Sequence, residues 1–277
     1  MPTISFINMK GGVGKTTLAT NIADCLNRKH NKKVLLIDID PQFNATQCLF
    51  GVDEYSKYLE DGKDTIITVF EDTRRIAQTV DGLSEKQSKP LEDIRSYEFR
   101  KNFHILPGNL NLYLMEMASG SGKENRLKKY IKKIQETEKY DYIIIDTPPT
   151  PSVWMTSALI ASDYYLIPVK PDPISYIGID LLENIIENKR ENLDLKIKCI
   201  GLVFTMVERP NSIVYQNAVL KIKSGKWNKF KYKKYIPKRT DIAKWQLNKS
   251  FILDVGDSNV KLSLTNIVDE LIKRIDK

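Results

Sequence analysis

The sequence predicts an α/β fold, a doubly wound and mostly parallel sheet flanked by helices. Three observations carry this. Strand-like runs at 4–8, 34–38, 103–106, 142–146, 164–169 and 197–204 alternate with helix-like stretches. The runs Val34 to Asp38 and Tyr142 to Asp146 are almost continuously apolar, as strands covered on both faces must be, and each ends in a carboxylate. The opening run is followed by glycines and then by an amphipathic stretch, the pattern of a strand-to-helix turn. No linker-like stretch divides the 277 residues, so 1–277 is expected to form a single domain.

The first strand, around Ile4-Ser5-Phe6-Ile7, leads into Lys10-Gly11-Gly12-Val13-Gly14-Lys15-Thr16-Thr17. Glycines let the backbone turn tightly and bring its amide hydrogens close to an anion, and the positive end of the following helix adds to the attraction. Lys15 is placed to reach terminal phosphates, and the Thr16 hydroxyl to ligate Mg²⁺. The leading glycine of the general phosphate-loop pattern is absent, and a second lysine, Lys10, stands where that pattern needs no charge. Two lysines crowded into one loop repel each other. One site satisfies Lys15, so Lys10 is expected to find its anion elsewhere. The helix after the loop is legible from Leu18, Ala19, Ile22, Ala23 and Leu26, which share a face.

The second strand runs into Asp38-Ile39-Asp40-Pro41-Gln42, and a later one stops at Asp146 ahead of Pro148 and Pro149. Parallel strands present their carboxyl tips to a ligand crevice. A lone Asp after a strand is often a helix cap or turn former. Three on strand ends, downstream of a phosphate loop, point to one site.

The segment KGGVGKTT resembles the deviant Walker A loop of the ParA/MinD family of ATPases, which have the P-loop NTPase fold. The flank Pro41-Gln42-Phe43-Asn44-Ala45-Thr46 is similar to the partition branch, with Phe43 in place of the usual glycine. Leu106-Pro107-Gly108, Leu166-Ile167-Pro168-Val169 and Ile236-Pro237-Lys238-Arg239 extend the likeness more loosely. The resemblance is to small ParA proteins without an amino-terminal DNA-reading domain. It implies ATP and Mg²⁺, with Lys10, Lys15 and Asp40 in catalysis. Residues 10–17 together with Pro237 and Lys238 would contact the nucleotide. Thr16, Asp38 and Asp146 would serve the metal, Asp38 through water and Asp146 from behind its first ligands, while Asp40 would orient the attacking water. Lys10 would cross an ATP-dependent homodimer interface to the other subunit's nucleotide. The dimer would bind double-stranded DNA nonspecifically and release it on hydrolysis. A ParB-like centromere-binding protein would stimulate a slow basal turnover, at a cytoplasmic, nucleoid-associated location.

The charge is uneven. From Lys221 to Arg239 there are nine positive charges and no acid, which exceeds the net charge of +8 for the whole chain. A self-repelling cluster usually serves a partner, so Lys221, Lys223, Lys226, Lys229, Lys231, Lys233 and Lys234 are expected to contact DNA phosphates. The interleaved Trp227, Phe230, Tyr232 and Tyr235 are expected to point inward.

Cys25, Cys48 and Cys199 are widely spaced and form no metal or redox pair, which argues against an iron–sulfur ATPase related to nitrogenase iron protein. They are expected to be reduced and mostly buried. His30 and His104 are isolated. No signal peptide and no apolar run of membrane-spanning length are visible. The polar stretch from Asp81 to Asn102 is expected to be a surface excursion, and Ser119-Gly120-Ser121-Gly122-Lys123 a flexible connector. Leu262, Leu264, Ile267, Val268, Leu271, Ile272 and Ile275 form an apolar stripe on a final helix. Such a helix could bind a membrane surface, as in a MinD-like positioning switch, the alternative reading. Lacking Trp and Phe, it is expected to pack on the sheet instead.

Overall fold

Seven strands form one sheet in the order β3-β4-β2-β5-β1-β6-β7. They are β1 (Thr3–Phe6), β2 (Val34–Asp38), β3 (Tyr97–Arg100), β4 (Phe103–Leu106), β5 (Tyr142–Asp146), β6 (Tyr164–Val169) and β7 (Lys198–Phe204). The computed structural model describes residues 1–71, 89–117, 122–172, 175–239 and 249–276. Every pairing is parallel except that of β3 with β4. All six strands read from the apolar runs are present, which makes this the doubly wound sheet expected.

β3 is the departure. It lies within the stretch expected to be a surface excursion, yet Tyr97 and Phe99 alternate inward against the core and hold an antiparallel edge strand in place. Residues 81–88 of that stretch, and Ser119 to Ser121, lie outside the described residues.

Both faces of the sheet are covered, so each central strand contributes to two cores. Ile4, Phe6, Leu36 and Ile144 face a core with helix α1 (Lys15–His30) and the closing helix α10 (Ser258–Ile275). Their neighbours Leu35, Ile37, Ile143 and Ile145 face the opposite core. That core contains α4 (Ile66–Phe70), α6 (Arg126–Thr137) and α7 (Val153–Ala161). A third cluster joins β6 and β7 to α8 (Ser175–Leu193) and α9 (Ile213–Lys223). The short helices α2 (Asn44–Leu49), α3 (Val52–Glu60) and α5 (Leu112–Met117) occupy the connections around β2 and β4.

The stripe on α10 is packed. Leu264, Ile267, Val268 and Leu271 are buried against the sheet core, Ile272 and Ile275 pack beside them, and Leu262 is exposed. Asp257 starts this helix by accepting hydrogen bonds from the Asn259 and Val260 amides. Among the described residues, no helix is long and apolar enough to cross a membrane. Cys25 is buried and Cys48 and Cys199 half-buried, all as free thiols.

The topology places the site. Strand β1 sits between β5 and β6, and the chain leaves it for β2, which lies on the far side of β5. The carboxyl ends of β1, β2 and β5 therefore converge, with Asp38 level with Asp146 and Phe6 level with Asp146. A crevice at this end of the sheet is where open α/β folds take ligands.

Candidate functional site

The loop between β1 and α1 is shaped by its glycines and tied down from outside. Gly12 and Gly14 have φ of +69° and +79°, a left-handed backbone that other residues reach only under strain. Gly14 is also the residue that begins α1, so the amides of the first helical turn open into the loop. Val13 is buried, and its carbonyl accepts a hydrogen bond of 2.5 Å from the Thr205 hydroxyl at the end of β7. Asn8 donates to the Pro168 carbonyl at 2.7 Å and accepts from the Lys10 amide at 2.9 Å, which anchors the entry to the loop on β6.

Lys15 is only 7% exposed. Burial pulls its ammonium below the ordinary lysine range, against the attraction of Asp146 and Asp40. A buried cation facing two carboxylates and a ring of backbone amides is arranged for an added anion, which would compensate it fully.

Thr16 donates its hydroxyl to Asp146 Oδ2 at 2.7 Å. Asp146 is fully buried, and its other oxygen, Oδ1, accepts no hydrogen bond among the described residues. Asp38, beside it on β2, is also fully buried; its Oδ2 accepts from both the amide and the hydroxyl of Thr46 at 2.8 Å. Burial raises both carboxyls above their usual range, as two neighbouring acids out of water require. An orphaned carboxylate oxygen beside a threonine hydroxyl is an all-oxygen donor set suited to Mg²⁺. Among the described residues, no three His, Cys, Asp or Glu side chains surround a metal by themselves. A magnesium ion here would thus rest on Thr16, on water held by Asp146 and Asp38, and on substrate phosphates.

Asp40 lies in the loop after β2, nearly buried, with Oδ1 accepting from the Gln42 amide at 2.9 Å. Burial raises its carboxyl, while that amide and Lys15 draw it back down. It borders a cavity of about 470 Å³ whose walls include the loop, Gln42, Cys48 and Met206. A recess of about 80 Å³ shares Gly14, Thr17 and Met206 with that cavity and is closed by Ile236, Pro237, Lys238 and Ile252. Pro237 and Lys238 therefore reach the loop from the far end of the sequence. Lys10 turns away from the cavity, and its ammonium pairs with Asp172 at 2.6 Å.

Several residues around the site were not singled out from the sequence. Thr46 and Gly108 fell inside recognised stretches but with no role. The Gly108 amide donates to the Thr46 hydroxyl at 2.7 Å, and a Cβ on Gly108 would lie 2.9 Å from Asp38 Cγ and 2.7 Å from Phe43 Cβ. Phe43, in place of a glycine, keeps a glycine-like φ of +42° and stacks its ring on Tyr55 at 5.6 Å. The loop geometry survives the replacement at a strain of about 1–2 kcal/mol. Asp172 and Thr205, and the bond of Asn8 to Pro168, carried no signal, because these partners lie over a hundred residues apart in the chain.

Comparison with known proteins gives the family. Residues 1–199 match the family described as AAA domain. The virulence plasmid ParA family protein pGP5-D of Chlamydia psittaci is 31% identical over 82% of this chain and 78% of its own length. The sporulation initiation inhibitor protein Soj of Bacillus subtilis is 30% identical over 77% and 76%. The chain belongs to the ParA family of ATPases. A crystal structure of a putative plasmid partition protein from Borrelia burgdorferi B31 bound to AMPPNP superposes with a TM-score of 0.73. It is 25% identical and covers 99% of both chains.

In this ParA-family chain, the basic segment does not form one uniform face. Lys221 and Lys223 end α9, and Lys226 begins a 3-10 turn, where its ammonium pairs with Glu183. Lys231 is half-buried and donates to the Tyr232 carbonyl at 2.9 Å; burial holds its ammonium low. From Lys231 to Lys238 the chain runs alongside β7, with the Tyr232, Ile236 and Lys238 amides donating to Leu202, Phe204 and Val207. The aromatics are internal as expected: Trp227 and Tyr232 are buried, and Phe230 and Tyr235 partly so. Lys229, Lys233 and Lys234 meet Lys198, Lys273 and Arg274 in a groove of about 930 Å³ at the amino end of β6 and β7, where Asp269, Glu270 and Asp276 offset half of the positive charge. That groove is at the opposite end of the sheet from the phosphate loop. Lys198 and Lys273 come from segments outside the basic run.

Proposed function

We propose that this ParA-family ATPase is a DNA partition ATPase that works through a single domain and an ATP-dependent homodimer. The observation that carries the reading is a buried Lys15 attracted by Asp146 and Asp40, with Thr16 bonded to Asp146, in a glycine loop that opens a helix. The names of the relatives, a virulence plasmid ParA protein and a plasmid partition protein, support the cargo class.

In this reading the loop amides and Lys15 take the phosphates of ATP, and the recess at Pro237 and Lys238 takes the base. A Mg²⁺ ion bound beside Thr16 would supply charge neutralisation on the transferring phosphate. Thr16, backed by Asp146 and Asp38, fixes the oxygen donors on the metal side. Asp40, itself nearly buried, orients the attacking water by accepting its hydrogen bond. Lys10 of each subunit reaches the partner's nucleotide, so the dimer forms only when ATP is present. Among the described residues, no glutamate lines the cavity to serve as a general base. Basal turnover is therefore slow, and a ParB-like partner raises it. The dimer presents two basic grooves to the DNA backbone, which binds independently of sequence.

The test is retention on DNA measured side by side without nucleotide, with ADP and with ATP. ATP alone should give strong retention, lost in Lys15→Ala, which fails to bind ATP, and in Lys10→Ala, which binds ATP but stays monomeric. Equal retention in all three nucleotide states, or normal ATP affinity in Lys15→Ala, overturns the reading.

A further inference from the structure

Lys10 is held at both ends within its own chain. Its amide donates to Asn8, which is itself fixed to the β6 backbone, and its ammonium pairs with Asp172 just past the end of β6. Asp172 lies in a turn closed by its own amide to the Lys170 carbonyl, and its side chain is 22% exposed against 37% for that of Lys10. A lysine aimed at its own subunit's carboxylate cannot at the same moment meet a phosphate on another molecule.

We infer that Asp172 is a positioning residue that holds Lys10 in its own subunit, and that this pair must open for the ATP dimer to form. The inference rests on reading Lys10 as the residue that crosses to the partner's nucleotide. In the monomer the pair neutralises Lys10 and relieves its repulsion with Lys15, five residues on in the same loop. On dimerisation each Lys10 exchanges a carboxylate for a phosphate. Two pairs therefore open per dimer, and Asp172 sets the ATP concentration and protein concentration at which the dimer appears. Half-exposed ion pairs of this kind shift an equilibrium by a factor of about 1.4 to 5 each. Two of them correspond to about 2- to 25-fold in the dimer dissociation constant.

The experiment compares wild type, Asp172→Asn, Lys10→Ala and the double variant, all as full chains. Self-association in ATP is followed by sedimentation, and acylation of Lys10 by an amine-reactive ester is followed by mass spectrometry without nucleotide. Asp172→Asn should dimerise at about 2- to 25-fold lower concentration and acylate faster at Lys10, by up to about 5-fold. Lys10→Ala stays monomeric, and adding Asp172→Asn to it should not restore self-association, whereas a gain that bypassed Lys10 would restore it. A wild type that stays monomeric in ATP overturns the dimer reading and the inference with it. A wild type that dimerises, with Asp172→Asn dimerising no better or Lys10 acylated no faster, overturns the inference alone.

Discussion

Thr16 and Asp146 stand on different elements, the first turn of α1 and the tip of β5, and are joined by a hydrogen bond of 2.7 Å that leaves Asp146 Oδ1 buried with no partner among the described residues. That pairing ties the phosphate loop to the centre of the sheet and leaves one buried carboxylate oxygen without a donor among the described residues. Thr16→Ala should therefore lose Mg²⁺-dependent nucleotide affinity by at least about tenfold and lower stability by about 1–3 kcal/mol, since a buried acceptor loses its donor. Nucleotide titrations with and without Mg²⁺, and a denaturant melt, check both. Affinity that ignores Mg²⁺ in wild type would remove the metal from this position.

Asp40→Ala should bind ATP and dimerise, yet release phosphate about 100-fold more slowly or worse, because it lacks the group that orients water. It should also remain on DNA longer than wild type. Wild-type phosphate release in this variant would shift the role to Asp38.

Gly108→Ala should damage catalysis from outside the cavity. The added methyl would sit 2.9 Å from Asp38 Cγ and 2.7 Å from Phe43 Cβ, so the acid or the loop must move. A cost of about 1–3 kcal/mol and a clear fall in turnover are expected. Unfolding curves and phosphate release measured on one preparation decide it.

The basic groove predicts which lysines matter. Lys229, Lys233 and Lys234 changed together to Ala should flatten the log–log salt dependence of DNA binding by up to about 3 units, roughly 1 per contact, for all sequences alike. Lys198→Ala and Lys273→Ala should each flatten it by up to about 1 unit. Lys226→Ala should change it less, since Glu183 already pairs that ammonium. An unchanged slope in the triple variant would place the DNA surface elsewhere.

Asp24 on α1 gives a pH signature. Burial pushes its carboxyl up to about 6 despite Arg100 and Arg28 beside it. The folded state then holds a proton that the unfolded chain, near 3.9, releases earlier. This contribution to stability is present below about pH 4 and is lost as pH rises through 6, by about 3 kcal/mol in all. Asp24→Asn removes that step, so the stability of wild type minus that of the variant should fall across pH 4 to 7. A constant difference over this range would show that Asp24 is ionised throughout.

The sequence by itself determined the sheet, the loop and the acids. A five-residue apolar run rich in β-branched residues and stopped by prolines, such as Tyr142 to Asp146, reads as a strand buried on both faces. Glycines around a lysine at a strand-to-helix turn have few other uses. These are short-range facts, carried by hydrophobic periodicity and by backbone freedom at neighbouring residues. The edge strand Tyr97–Arg100 was missed because a polar surround masked its two inward aromatics. Only the tertiary structure decided that Pro237 closes a recess against Gly14, that Asp172 takes Lys10, and that Lys198 and Lys273 share a groove with Lys229, Lys233 and Lys234. It also paired Lys226 with Glu183 and left Lys231 half-buried, although both lie in the same basic run. The reason is physical. Charge and polar side chains act through distance in space, and a parallel sheet brings together the ends of strands that lie more than a hundred residues apart in the chain.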